Sequence, residues 1–144
     1  MIGGARIAAL IPHDGAMCLI GRVVRWDADS ICCTAISHRD PANPLRLGGL
    51  LPAACGMEYA AQAMALHGAL SGMIGTRPRL GYLASLRGVV LHAGRLDDLP
   101  GELMIEAERQ AADGAHVAYR FRLGADQRVL VEGRASVLLE VGPD

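Results

Sequence analysis

The stretch Leu47–Thr76, LGGLLPAACGMEYAAQAMALHGALSGMIGT, decides the fold, and it carries one formally charged side chain, Glu58. Arg46 and Arg77 bracket it. From Pro52 to about Leu70 most residues are strong helix formers, apart from Gly56 and Gly68. Pro52 suits the first turn of a helix, where its missing N–H costs nothing. Gly72 and Gly75 stop the helix, with Pro78 beyond. Small residues (Ala53, Ala54, Gly56, Ala60, Ala61, Ala63, Ala65) let a sheet approach it closely. The length would also permit a membrane span. Glu58, Gln62, His67, Pro52 and the glycines argue against one, and a fully buried central helix explains the same pattern. A carboxylate in such a setting must be paired, protonated or used, because an uncompensated buried charge is costly. Desolvation raises a carboxyl pKa, the usual way a protein prepares such a group for proton transfer.

Outward from the helix the period changes to two. Met17–Trp26, a short Asp27-Ala28-Asp29 turn and Ser30–Ser37 read as a hairpin. After the helix, Leu83–His92, Glu102–Gln110, Ala115–Leu123 and Arg128–Glu140 read as four more strands. In the third of these, Val117, Tyr119, Phe121 and Leu123 alternate with His116, Arg120 and Arg122. Such alternation gives one buried and one wet face, as in an antiparallel sheet. Turn-rich clusters fall at Ser37–Gly49, Gly72–Gly81 and Gly94–Gly101. Two strands, one long apolar helix and four strands predict an α+β fold, a curved antiparallel sheet wrapped around one central helix. Residues 1–144 form one domain in this reading. A single sheet over a single helix leaves an open edge and apolar surface, so a dimer or larger assembly is expected.

Composition narrows the function. Hydrophobic residues make up 51% and charged residues 20%, which describes a globular chain. The net charge of −1 comes without a basic block, against a dedicated nucleic-acid surface. All 14 basic residues are Arg, a composition bias without functional content. Cys18, Cys32, Cys33 and Cys55 form no C-x-x-C pair and have no His at zinc spacing. They read as free thiols in a reducing cytosol. The N-terminus shows no cationic leader with an apolar core and cleavage site, so a cytoplasmic protein without a signal peptide is expected. There is no G-x-S-x-G elbow, no P-loop and no G-x-G-x-x-G after a strand.

Three stretches carry a family resemblance. The first is Ile11-Pro12-His13, then Met17-Cys18-Leu19-Ile20 and Arg22-Val23. The second is Leu51-Pro52, Glu58 six residues after the proline, then Ala61-Gln62. The third is Gly81-Tyr82-Leu83-Ala84 with Leu99-Pro100-Gly101-Glu102 downstream. Together they resemble hotdog-fold 3-hydroxyacyl-acyl-carrier-protein dehydratases of FabZ type. More narrowly they resemble the ApeP-type dehydratase-like proteins of aryl polyene pigment clusters. The resemblance implies a hotdog fold, no cofactor, and a substrate held by phosphopantetheine on acyl carrier protein. It also implies a homodimer, or a heterodimer with another hotdog subunit. In the family a helix carboxylate, matching Glu58, works with a His contributed across the dimer interface. One departure matters. The family's Gly-His-Phe-Pro motif places that His 14 residues before the carboxylate, and Pro44 stands there instead. The family's Pro-Gly helix opening is replaced by Pro52-Ala53.

Dehydration of a 3-hydroxyacyl thioester needs a base at the Cα proton and an acid at the β-hydroxyl. One imidazole and one carboxyl suffice. Glu58 is the candidate acid, and His13 and His38 are the candidate bases. His13 belongs to a segment that lines the family's substrate tunnel, and His38 lies nearer the missing motif. His67, nine residues after Glu58, faces roughly the opposite way and reads as structural. His92 and His116 fall in strand patterns and read as solvent or edge residues. Gln62 shares a helix face with Glu58 and is a candidate to orient it or the substrate. Tyr82 resembles the residue gating the family's acyl tunnel. Pro52 and Ala53 open the helix, where free N–H groups can polarise a thioester carbonyl. Arg39 and Arg46 are candidates to attract a phosphate or an acidic carrier protein, although solvated loop arginines explain them too. Three functions follow: a dehydratase giving trans-2-enoyl thioesters in fatty-acid or aryl polyene biosynthesis, a non-catalytic partner of an active dehydratase, and a hotdog thioesterase.

Overall fold

The computed structural model describes residues 2–11, 15–71 and 79–141. Among the described residues two α-helices, α1 (Gly4–Leu10) and α2 (Gly56–Leu70), accompany six strands. The strands are β1 (Arg22–Trp26), β2 (Ser30–Ala35), β3 (Arg79–Leu91), β4 (Leu103–Asp113), β5 (His116–Ala125) and β6 (Arg128–Val141). They form one antiparallel sheet in the order β1-β2-β4-β5-β6-β3. The period-two residues point as expected: Leu103, Ile105, Val117, Tyr119, Phe121, Leu123, Val131 and Val137 are all buried. They pack toward α2, whose Tyr59, Ala60, Ala63, Met64 and Leu66 are buried in turn. Each large side chain removed from water in this way contributes about 1.5–3 kcal/mol.

The small residues of α2 set its distance from the sheet. A Cβ added at Gly56 would lie 3.1 Å from Leu123 Cδ2 and 3.3 Å from Val131 Cγ2. The sheet therefore presses on the helix two residues before Glu58. Register shifts at Leu83/Ser85 and Arg87/Val90 bend β3 along β6, the usual effect of bulges. β3 is an edge strand. It leaves Leu83, Leu86, Val90 and Leu91 exposed, an apolar edge of the kind that a partner covers.

Several boundaries differ from the sequence reading. Met17–Ile20 is not strand: Gly15–Met17 is a single 3-10 turn, and β1 starts at Arg22. Leu19 and Ile20 are buried, which explains the strand-like pattern, but the Leu19 amide bonds to a side chain of α2 instead of a neighbouring strand. α2 proper starts at Gly56, after a 3-10 turn at Ala53–Cys55 that Pro52 precedes in extended conformation. β3 begins at Arg79, inside the cluster expected to be turn. Helix α1, anchored by buried Ile7, had no periodic signal long enough to announce it.

Candidate active site

Glu58 stands in the first turn of α2, half-buried. The chain around it is stapled in place. Ala53 N–H donates to Gly94 O at 3.0 Å and Leu96 N–H to Leu51 O at 2.8 Å. Leu51 N–H donates to Asp97 Oδ1 at 2.8 Å. The Asp97 side chain is buried and paired with Arg95. The Arg95 guanidinium, with the Leu51 amide, holds its carboxyl well below the usual carboxylate range. The loop after β3 thus fixes where α2 begins. Ala53 is buried with its amide already taken, which leaves that group unavailable to a substrate carbonyl. Pro52 is half-buried and bridges to Arg95.

The residue after Glu58 does as much positioning. Tyr59 is completely buried. Its hydroxyl lies 2.8 Å from Ser37 Oγ. Ser37 Oγ–H donates to Leu19 O at 2.7 Å, so the Tyr59 O–H donates to Ser37. Asn43 Nδ2 donates to the Tyr59 hydroxyl at 3.2 Å and to Ser37 O at 2.9 Å. Burial raises the Tyr59 pKa, which keeps it the neutral donor this network needs. The segment from Ser37 to Asn43, which carries His38, is thereby clamped to the turn that carries Glu58. Sequence reasoning passed over Tyr59, Asn43 and Ser37. The available signal was a tyrosine in an apolar helix, since a buried Tyr hydroxyl requires a partner.

Gln62, four residues after Glu58, is fully buried. Its Oε1 accepts from Leu19 N–H at 2.9 Å and its Nε2 donates to Met17 O at 2.6 Å. The amide therefore ties the segment at Met17–Leu19 onto α2, and both of its ends are engaged there. Arg46 also works within the chain, donating to Gly49 O at 2.8 Å and His38 O at 3.2 Å. Arg39 is exposed.

The histidines separate clearly. His67 is fully buried on α2, with Nε2–H donating to Asp27 O at 2.9 Å and Nδ1 accepting from Tyr119 O–H at 2.8 Å. It is the structural residue its spacing suggested. His38 is also fully buried, with Nε2 3.1 Å from Leu99 O. The carbonyl fixes the proton on Nε2, so Nδ1 carries a lone pair, and Nδ1 has no hydrogen-bond partner among the described residues. Burial, aided by Arg39 and Arg46, lowers the His38 pKa. His92 pairs with Glu132 at 2.9 Å on the exposed surface, and His116 is exposed. His13 lies outside the described residues. Tyr82 stands on β3 opposite Leu138, and its side chain lies outside them too. Cys32 and Cys33 are buried free thiols, and burial pushes Cys33 up to about 12, far from the reactive range.

A six-stranded antiparallel sheet packed on one main helix is the hotdog architecture. The family model of the ApeP dehydratase (ApeP-like) matches residues 5–141, and the chain belongs to that family. Among solved structures it is similar to the dehydratase heterocomplex ApeI:P from Xenorhabdus doucetiae, with TM-score 0.83 and 21% identity over 93% of this chain and 90% of that one. It is also similar to a hypothetical thioesterase with coenzyme A from Streptococcus pneumoniae (TM-score 0.61, 12% identity, 85% and 88% covered). A mutant thioesterase from Pseudomonas aeruginosa follows (TM-score 0.59, 14% identity, 83% and 80% covered). At these identities the structures establish the hotdog fold. No curated protein matches the chain.

Proposed function

We propose that this chain is a subunit of a dehydratase that converts 3-hydroxyacyl thioesters on acyl carrier protein into trans-2-enoyl thioesters, in fatty-acid or aryl polyene biosynthesis. The observation that carries the proposal is Glu58, the acidic residue of α2, set in its first turn within a chain of the dehydratase family. Glu58 protonates the β-hydroxyl as the Cβ–O bond breaks and water leaves. An imidazole takes the Cα proton, and that C–H electron pair becomes the Cα=Cβ bond. The thioester acidifies the Cα–H, so the step needs no cofactor. His38 has the required form, a neutral ring with its proton fixed on Nε2 and a lone pair on Nδ1. His13 is the other imidazole the sequence offers.

A second reading has its own support. Pro44 occupies the position of the family's usual histidine, and a similar structure is a heterocomplex. The chain would then complete a second hotdog subunit that brings its own imidazole, with the apolar β3 edge as the contact.

The test is incubation with a 3-hydroxyacyl carrier-protein substrate, with and without a second hotdog subunit, read by intact mass. Loss of water by the chain alone supports the first reading. Activity only with the partner supports the second, and release of free acid means a thioesterase. Glu58→Gln should lower dehydration about a hundredfold or more, and an unchanged rate overturns the assignment. His38→Gln and His13→Gln, compared in turn, assign the base.

A further inference from the structure

Two clamps hold the start of α2, and they share one residue. Leu19 N–H donates to Gln62 Oε1 at 2.9 Å, and Leu19 O accepts from Ser37 Oγ–H at 2.7 Å. Through Leu19 the polar contacts join into one line. Leu45 N–H donates to Asn43 Oδ1 at 2.9 Å, and Asn43 Nδ2 donates to the Tyr59 hydroxyl. Tyr59 donates to Ser37, Ser37 to Leu19 O, Leu19 N–H to Gln62, and Gln62 Nε2 to Met17 O. Every donor in the line points the same way. The backbone fixes that direction, because Leu45 N–H can only donate and Met17 O can only accept. Neither hydroxyl can turn, and neither amide can flip, without stranding a neighbour.

Apolar packing would serve stability as well as this line does. Asn43, Tyr59 and Gln62 are buried, and replacing bonded polar partners by apolar groups of the same shape is nearly neutral. What a satisfied network adds in a low-dielectric interior is a single arrangement of the pieces it joins. The pieces joined here are those of the proposed site. Tyr59 follows Glu58 on α2, and Gln62 lies about one turn further along the same helix. Ser37 and Asn43 enclose His38 in the chain, and Met17 lies four residues after His13. A misplacement of about 1 Å between reacting groups lowers a rate about a hundredfold.

We propose that Tyr59 is a positioning residue of the dehydration. Its hydroxyl, acting as one unit with Gln62, holds the segments of both candidate imidazoles in register with Glu58. The inference rests on the dehydratase reading above. Tyr59 is completely buried, so it acts through Glu58 and the His38 segment and not on the substrate itself.

The test compares two substitutions that each delete one buried hydroxyl. Tyr59→Phe breaks the line at its centre. Tyr119→Phe removes the hydroxyl bonded to His67 Nδ1, at the other end of α2. Both are assayed in the full chain, with its hotdog partner where dehydration requires one. Per folded molecule, Tyr59→Phe should lower kcat about tenfold and leave KM within about twofold. Tyr119→Phe should leave both within about twofold. In a Glu58→Gln background Tyr59→Phe should cost no more than about twofold, because groups that act as a unit are not additive. Amide exchange at Leu19, whose N–H is bonded to Gln62 and not to Tyr59, should accelerate about tenfold in Tyr59→Phe and stay unchanged in Tyr119→Phe. Equal kinetic effects of the two substitutions overturn the proposal. So does a loss of about tenfold that persists in the Glu58→Gln background. Unchanged exchange at Leu19 in Tyr59→Phe reduces the line to two separate clamps and overturns it too. If the parent dehydrates no 3-hydroxyacyl substrate, with or without a partner, the functional reading fails and the part of Tyr59 in turnover fails with it. The exchange comparison then still decides the linkage, where acceleration in Tyr59→Phe alone supports one unit and equal rates overturn it.

Discussion

His38 and His67 are equally inaccessible to solvent, and burial pushes both toward the neutral form, yet they differ at one atom. Both nitrogens of His67 are hydrogen-bonded, and its ring meets Tyr119 edge-on at 5.5 Å. Only Nε2 of His38 is occupied. A buried polar atom without a partner costs free energy, so a fold that retains one either tolerates the loss or uses the atom. The two rings also mark the two ends of the molecule's design. The His67 end of α2 is closed by bonds to Asp27 and Tyr119. The Glu58 end is closed by Tyr59 and Gln62, and the segments they hold carry or adjoin the candidate bases.

The largest effect should come from removing the closed ring. His67→Ala loses two buried hydrogen bonds and leaves a cavity, so it should destabilise the chain by about 3 kcal/mol. His38→Ala loses one bond and should cost less, about 2 kcal/mol. Urea unfolding of the two variants measures the difference directly. If His38→Ala proves the more damaging, its ring is structural in the same sense as His67 and the contrast collapses. Turnover per folded molecule supplies the other half of the comparison. It should stay within about twofold of the parent in His67→Ala.

Gln62 allows a finer cut at the Glu58 end. Gln62→Leu keeps the volume but strands Leu19 N–H and Met17 O, at a cost of about 2 kcal/mol. The loss should be local. Amide exchange at Leu19 should accelerate strongly while that at Ile105, in the core of β4, changes only with global stability. Equal acceleration at both sites would mean that Gln62 supports the whole fold rather than one segment.

The helix and the strand faces were legible because their signals are local: a run of helix formers, and alternation at period two. Glu58 was legible because its surroundings lack charge. The networks were not, because Tyr59 reaches Ser37 and Asn43, and Gln62 reaches Met17 and Leu19, across sequence separations that no periodicity encodes. Gln62 illustrates the difference well. Its helical spacing correctly put it on the Glu58 face, but only the fold shows that its amide is spent on the backbone of another segment. Arg120 follows the same logic. Alternation pointed Arg120 outward, whereas its position opposite Arg134 depends on strand register.

The smallest effect is the dependence of stability on pH, and it separates the two histidines from the acid-sensitive part of the fold. Around His67 lie Asp27, Asp29, Arg109 and Tyr119, and around His38 lie Arg39, Arg46 and Asp97. For both rings burial outweighs the carbonyl bonds that favour charge, so the folded pKa lies below the unfolded value of about 6.5. Below that value the unfolded chain binds the protons first, and stability falls with pH until the folded rings also titrate. Asp97 has a depressed folded pKa, so its contribution is intact in that window and is lost only further down, below the ordinary Asp value of 3.8. Urea midpoints measured downward from pH 8 should therefore decline in an upper limb that starts near the unfolded histidine value and a lower limb that starts near the ordinary Asp value. His67→Gln and His38→Gln should each flatten the upper limb and leave the lower one. A substrate that engaged Nδ1 of His38 would change the upper limb only through that residue. An upper limb that substrate shifts in the parent and in His67→Gln, but not in His38→Gln, would identify His38 as the ring the site uses.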